Sequence, residues 1–273
     1  MTVVSLAFLL CLGMSQAPGA PASCDAVASG LSNELAASNM AMEPESRRQA
    51  IYDRATETVP RCGDSEELAY VRLRAAELLS DRAGGDDARV KTFRVLAQEV
   101  SKQFPASARI ATIWARSERS VDRARQAAAI GPQYAPAQVS LANALLDSGD
   151  VAGAKRAMDG LKSLAKLDDG FTVLARIRWA EGDTKGTIEA ANKELKGRDA
   201  FGVEPGAADA HAIARAHELL GLAYAKQGKP APAAPHLVLA EETSEAARDA
   251  IRDASPALRK AIAKARMNVA RGR

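Results

Sequence analysis

The stretch Leu141-Ala142-Asn143-Ala144-Leu145-Leu146-Asp147-Ser148-Gly149-Asp150-Val151-Ala152-Gly153-Ala154-Lys155-Arg156-Ala157-Met158 decides the fold. It reads as two short helices around a glycine turn. Ala142 is a small residue set among Leu141 and Leu145, and Ala154 and Met158 lie four apart on the second segment. Thirty-three residues on, the register returns as Phe171-x2-Leu174-Ala175, Gly182-Asp183 and Thr187-Ile188. It returns again as His217-x2-Leu220-Gly221-x2-Tyr224, Gly228-Lys229 and Ala233-x3-Leu237. The small residues Ala142, Ala175 and Gly221 let two helices approach, and Gly149, Gly182 and Gly228 turn the chain between them. The step from Gly182 to Gly228 is 46 residues, and Gly197, Gly202, Pro205 and Gly206 assign the surplus to a long loop over Lys196 to Ala208.

This register resembles the tetratricopeptide repeat, a helix–turn–helix unit with the pattern W-x2-L-G-x2-Y…A-x3-F…P, in three units over about 135–242. Gln138 and His217 stand where the pattern has Trp, and Arg178 where it has Tyr. Thr187 and Ala191 replace the Ala and the large apolar residue of the second helix, and the terminal Pro is missing from all three units. Pro132 suits the end of an earlier, shortened unit over about 105–132, which sets the repeats at 105–243. The resemblance implies an all-α, right-handed α-solenoid that binds a protein or peptide in its concave groove. It implies no cofactor and no chemistry.

In such arrays the first helix of each unit lines the concave surface. The register places Val139, Asn143 and Leu146 there from the first unit, Thr172, Arg176 and Trp179 from the second, and Glu218 and Leu222 from the third. Asn143, Leu146, Arg176, Trp179, Glu218 and Leu222 are therefore the candidate groove residues. Arg176 and Trp179 are the preferred anchors, because Arg and Trp most often dominate interface energies. Trp179 has a second reading, as packing between units. A clamp for a C-terminal carboxylate is not supported: Asn143 matches one clamp position, but Val139 and Val173 stand where Lys and Asn are needed.

The rest of the chain agrees with a helical protein. Of 273 residues, 26% are charged and 47% apolar, which excludes disorder over most of the length. Aromatics are 4% and alanine accounts for 59 residues, a composition that forms helices well and strands badly. No stretch alternates with period two, so no sheet is expected.

Residues 1–22 contain no Lys, Arg, Asp or Glu; an apolar run from Val3 to Leu12 is followed by Ala20-Pro21-Ala22. This reads as a cleaved signal peptide and an exported, periplasmic or extracellular protein, although no basic residue precedes the apolar run. A lipoprotein signal is disfavoured, because Pro21 occupies the position three before Cys24 where a Leu-like residue belongs. Cleavage leaves Cys24 and Cys62. Asp25 to about Met40 and Ser46 to Val59 read as two antiparallel helices, the second ended by Pro60. The start of the first then lies beside the end of the second, and a Cys24–Cys62 disulfide closes the hairpin. Closure is worth roughly 3–4 kcal/mol on the chain-entropy model. Two free thiols in a reducing compartment are the alternative. Asp64-Ser65-Glu66-Glu67 starts a third helix with Asp64 as cap. Val90 to Phe104, stopped by Pro105, makes a fourth, which completes an N-terminal region over 23–104.

After residue 243, Ser255-Pro256 starts a final helix, and 244–273 reads as capping helices. From Arg259 onward there are six basic residues and no acidic one. A solvated cap is one reading, and contact with an anionic membrane surface by an envelope assembly factor is the other.

Catalytic patterns are missing. His211, His217 and His236 have no metal-site spacing, no Cys lies near them, and no nucleophile elbow, P-loop or dinucleotide fingerprint occurs. An enzyme with an unfamiliar site is the remaining, disfavoured alternative, and no metal or small-molecule substrate is expected. The net charge is +3, with both signs interleaved outside the tail, which does not make a nucleic-acid surface.

Overall fold

A computed structural model describes residues 23–40, 45–80, 88–161, 163–164, 169–199 and 207–271. Residues 1–22, read above as a signal peptide, and Gly202, Pro205 and Gly206 of the expected loop lie outside them. The described residues form helices and turns with no strand. In chain order the helices are α1 (Cys24–Met40), α2 (Glu45–Cys62), α3 (Glu66–Ser80), α4 (Ala88–Gln103), α5 (Ala108–Glu118), α6 (Val121–Ile130) and α7 (Ala135–Asp147). They continue as α8 (Val151–Asp159), α9 (Gly170–Ala180), α10 (Thr184–Asp199), α11 (Ala207–Lys226), α12 (Pro230–Ala240), α13 (Glu245–Arg252) and α14 (Pro256–Arg271).

Their packing makes a two-layer solenoid. Each odd-numbered helix from α1 to α11 touches the next odd-numbered one, and each even-numbered helix from α2 to α12 sits between the odd helices before and after it. The small residues lie where helices meet. Ala142 and Ala175 are fully buried. A Cβ on Gly221 would lie 2.7 Å from Leu237 Cγ and 3.0 Å from its backbone N, so α11 and α12 touch at backbone distance. Large apolar residues fill the space between units: Val139, Leu145 and Met158 pack with Val173 and Ile177, and Ala175 with Leu219 and Leu220.

The turns repeat to the atom. Gly149, Gly182 and Gly228 have φ of +86°, +80° and +68°, a region other residues enter at a cost. At each turn the next N–H reaches back five residues, Asp150 to Leu145 O at 2.8 Å, Asp183 to Arg178 O at 2.9 Å and Lys229 to Tyr224 O at 3.0 Å. This helix-end pattern satisfies carbonyls that the helix leaves open. In the unit before, Arg119 takes the same place with φ +50°. The next helix is then capped. Asp150 accepts from Gly153 N at 2.7 Å, and Asp183 from Gly186 N at 2.8 Å. A Cβ at either glycine would collide with the capping carboxylate. The repeated G-D-x-x-G is thus one device, a turn glycine, a cap and the space for that cap. The third unit replaces it with Lys229, which makes no side-chain cap bond, and Pro230 in the first helical turn.

Helices α1 and α2 form the expected hairpin, with Cys24 bonded to Cys62 at a Cα–Cα distance of 5.5 Å. The end of α2 and the cap of α3 differ from the sequence reading. α2 runs through Pro60 to Cys62, because a proline in the last turn forfeits a single helical hydrogen bond. Ser65 rather than Asp64 caps α3, its Oγ accepting from Leu68 N at 3.3 Å. Later in the chain, α10 continues to Asp199 and α11 begins at Ala207, so helix occupies both ends of the expected loop. One glycine inside a helix costs only about 1 kcal/mol, and Gly197 is accommodated.

At the far end the alternation stops. α14 leans on α12. Leu258, Ile262 and Ala265 join Ala233, Leu237 and Ala240 in one apolar cluster, which closes the end of the array.

Candidate functional site

The face made by α7, α9 and α11 carries the six groove candidates, and they occupy different situations. Asn143 and Arg176 are brought together. Arg176 Nη1 donates to Asn143 Oδ1 at 2.7 Å, and Nη2 pairs with Asp147 Oδ1 at 2.6 Å. The Arg176 side chain is only 18% exposed, whereas Asp147 is 63% exposed. The guanidinium is therefore fixed across the seam between two units, with an exposed carboxylate as its outer partner. Asp147 escaped the sequence reading. The available signal was the period: Asn143 and Arg176 hold equivalent positions 33 residues apart, and Asp147 is one turn beyond Asn143.

Trp179 is half-buried against the cluster of Ala175, Ala190, Ala191, Leu219 and Leu220. Lys226 of α11 lies over its ring, Nζ 5.1 Å from the centroid. Its indole thus spans α9 and α11 and keeps a partly open edge. Leu146 is half-buried at the margin of the first unit's core. Leu222 is half-buried and packs toward the α12–α14 cluster. Glu218 is 6% exposed, and its two oxygens accept from Arg215 Nη1 at 2.8 Å each. Val139 and Thr172, assigned to the same surface by register, are both 5% exposed and lie inside. They sit one helical turn before Asn143 and Arg176: Val139 joins the core shared with Val173 and Ile177 of α9, and Thr172 N donates to Glu194 Oε2 of α10 at 3.1 Å.

Beyond Glu218 the face opens into a recess of about 550 Å³ bordered by Arg215, Glu218, Thr243, Ser244 and Glu245. Glu218 faces it already paired, and Ser244 spends its Oγ capping α13, accepting from Ala247 N at 3.0 Å. The wall is polar: Arg215 and Glu218 pair with each other, Thr243 and Ser244 bond within their own turn, and Glu245 is exposed. Among the described residues no three His, Cys, Asp or Glu side chains converge as a metal site would require.

Two further charge arrangements lie in the same helix layers. Glu77 of α3, 5% exposed, is held by Arg74 and by Arg116 of α5 at 2.7 and 2.9 Å. Burial pushes its carboxyl up, but Arg116 and Arg74 outweigh it and the net shift is downward. His217 of α11 and His236 of α12 meet at Nδ1–Nδ1 2.9 Å, with ring centroids 5.0 Å apart. Tyr224 stacks beyond His236 at 6.1 Å. Burial, then the neighbouring His217, lowers the His236 pKa to about 4.

The fold and this face define a class, a helical-repeat protein with a mixed polar and apolar side made of successive first helices. No protein-family model matches the chain, and no curated protein matches it in sequence. A chain in the crystal structure of the APC/C hetero-tetramer Cut9–Hcn1 is similar at TM-score 0.48 and 15% identity, over 84% of this chain and 48% of that one. This chain spans about half the length of that neighbour.

Proposed function

We propose that the protein is a non-catalytic scaffold that binds a protein or peptide segment along the face of α7, α9 and α11. The observation that carries this reading is the seam at Arg176. Asn143 and Asp147 hold the guanidinium in place before any partner arrives, and Trp179 lies one turn further along the same helix. Preorganised Arg and Trp side chains lose little freedom on binding, which is how interface anchors gain energy. An acidic or carbonyl-rich segment would share Arg176 with Asp147 and lay an apolar side chain beside Leu146 and Trp179. The Cys24–Cys62 bond supports work in an oxidising compartment, in keeping with export.

The test uses peptides selected from a display library on the folded protein. Trp179→Ala is expected to weaken the selected peptides roughly 30-fold or more, the equivalent of ≥ ~2 kcal/mol. Arg176→Ala is expected to weaken them about tenfold, with melting lowered modestly because the seam loses its tie. Peptides that bind both variants as tightly as the parent, with both variants folded, would remove the face from consideration.

A further inference from the structure

We propose that the outer side of α14 is a docking strip for an anionic lipid surface, with Lys260, Lys264 and Arg271 as headgroup contacts and Met267 between them. The proposal stands apart from the groove and does not depend on it.

The helix separates two sides cleanly. Leu258, Ile262 and Ala265 are buried against α12. At 100° per residue, Lys260, Lys264, Met267 and Arg271 fall within about 60° of one another on the opposite side. All four are exposed, Met267 at 54%. The other described cations of the helix are occupied at home. Arg259 Nε donates to Ala254 O at 2.7 Å, and Arg266 pairs with Glu241 at 2.6 Å. Among the described residues nothing holds Lys260, Lys264 or Arg271. From Lys260 to Arg271 the row is roughly 17 Å long at 1.5 Å per residue.

Charge over the whole chain points to the occupant. Residues 256–273 carry six of the 37 basic residues and none of the 34 acidic ones, so the other 255 residues have a net charge of −3. The positive end is concentrated on the last helix. An acidic peptide would need a groove or a strand edge to order its backbone, and this strip is a single convex row with neither. A lipid surface needs only cations in one plane, and it tolerates an apolar side chain among them. Among the described residues no helix is long and apolar enough to cross a membrane, so the contact made here is peripheral.

The experiment is sedimentation of the full chain with vesicles of phosphatidylglycerol in phosphatidylcholine, against phosphatidylcholine alone. Binding is expected only with the anionic vesicles and is expected to vanish in high salt. The Lys260→Gln/Lys264→Gln/Arg271→Gln variant should bind roughly 100-fold more weakly, about fivefold per cation. Met267→Ser should lose a few-fold, and Lys260→Arg/Lys264→Arg should retain parent binding. Equal binding to both vesicle types, or a triple Gln variant that binds like the parent, would overturn the proposal. So would salt-sensitive self-association abolished by the triple Gln variant without any lipid preference, which would make a second copy's acidic body the occupant.

Discussion

Gly221 shows how much a single position carries. Replacing glycine by alanine inside a helix normally gains about 1 kcal/mol of propensity. Here the new methyl would meet Leu237 at its side chain and its backbone, so α11 and α12 would have to separate. Gly221→Ala is expected to cost roughly 1–3 kcal/mol net, read from urea unfolding followed by circular dichroism; a stabilised variant would refute the close approach. The His217–His236 pair gives a pH dependence whose sign is fixed. His236 titrates at about 4 when folded, below its ordinary value of 6.5, so the unfolded chain binds more protons between those values. Stability from this pair is complete above about pH 6.5, falls as the pH drops, and levels off below about pH 4. After discounting for partial exposure, the loss is about 2 kcal/mol. His236→Gln should flatten that part of the profile, and parallel profiles for parent and variant would contradict it. Glu77 acts in a lower window: its carboxyl is held down, so its contribution is lost only as the pH falls below the usual carboxylate range. The period puts Asn143 and Arg176 at equivalent positions of successive units, and the structure adds that they pair across the seam. Neither that pairing nor the engagement of Glu218 by Arg215 is legible in the sequence, because each depends on how the side chains turn.

At the scale of elements, the hairpin of α1 and α2 is tied to the array through α3, which contacts both. Reduction of Cys24–Cys62 removes a constraint worth roughly 3–4 kcal/mol from that end. In a solenoid each unit touches only its neighbours, so the loss stays local. Hydrogen exchange after reduction should speed up in α1 to α3 and stay unchanged in α9 to α12. Faster exchange along the whole chain would mean that the units unfold as one. Helix identities were readable because glycine turns and apolar stripes repeat; ends were not. Pro60 and Gly197 are both written as breaks, yet both lie within helices, since one lost hydrogen bond or one glycine is outweighed by packing on either side. The caps at Asp150 and Asp183 were hidden in plain view, because their signal is the glycine three residues later that makes room for the carboxylate.

For the whole molecule, the proposed reading gives different surfaces different work. The odd-numbered helices α7, α9 and α11 present the mixed face, α14 closes the end and shows its cations outward, and the even-numbered helices form the other layer. Repetition gave the layers away in the sequence. Which of the side chains assigned to the face reach the surface is not readable from the register: Val139 and Thr172, placed there by it, are both buried. The most direct measurement places a photo-crosslinking amino acid at Asn143 on the odd-helix face, and at Leu239, 51% exposed on α12 of the other layer, in the protein expressed in its native cells. A discrete protein adduct is expected from position 143 and none from position 239. An adduct from Leu239 alone, with position 143 silent and both variants folded, would contradict the proposed reading.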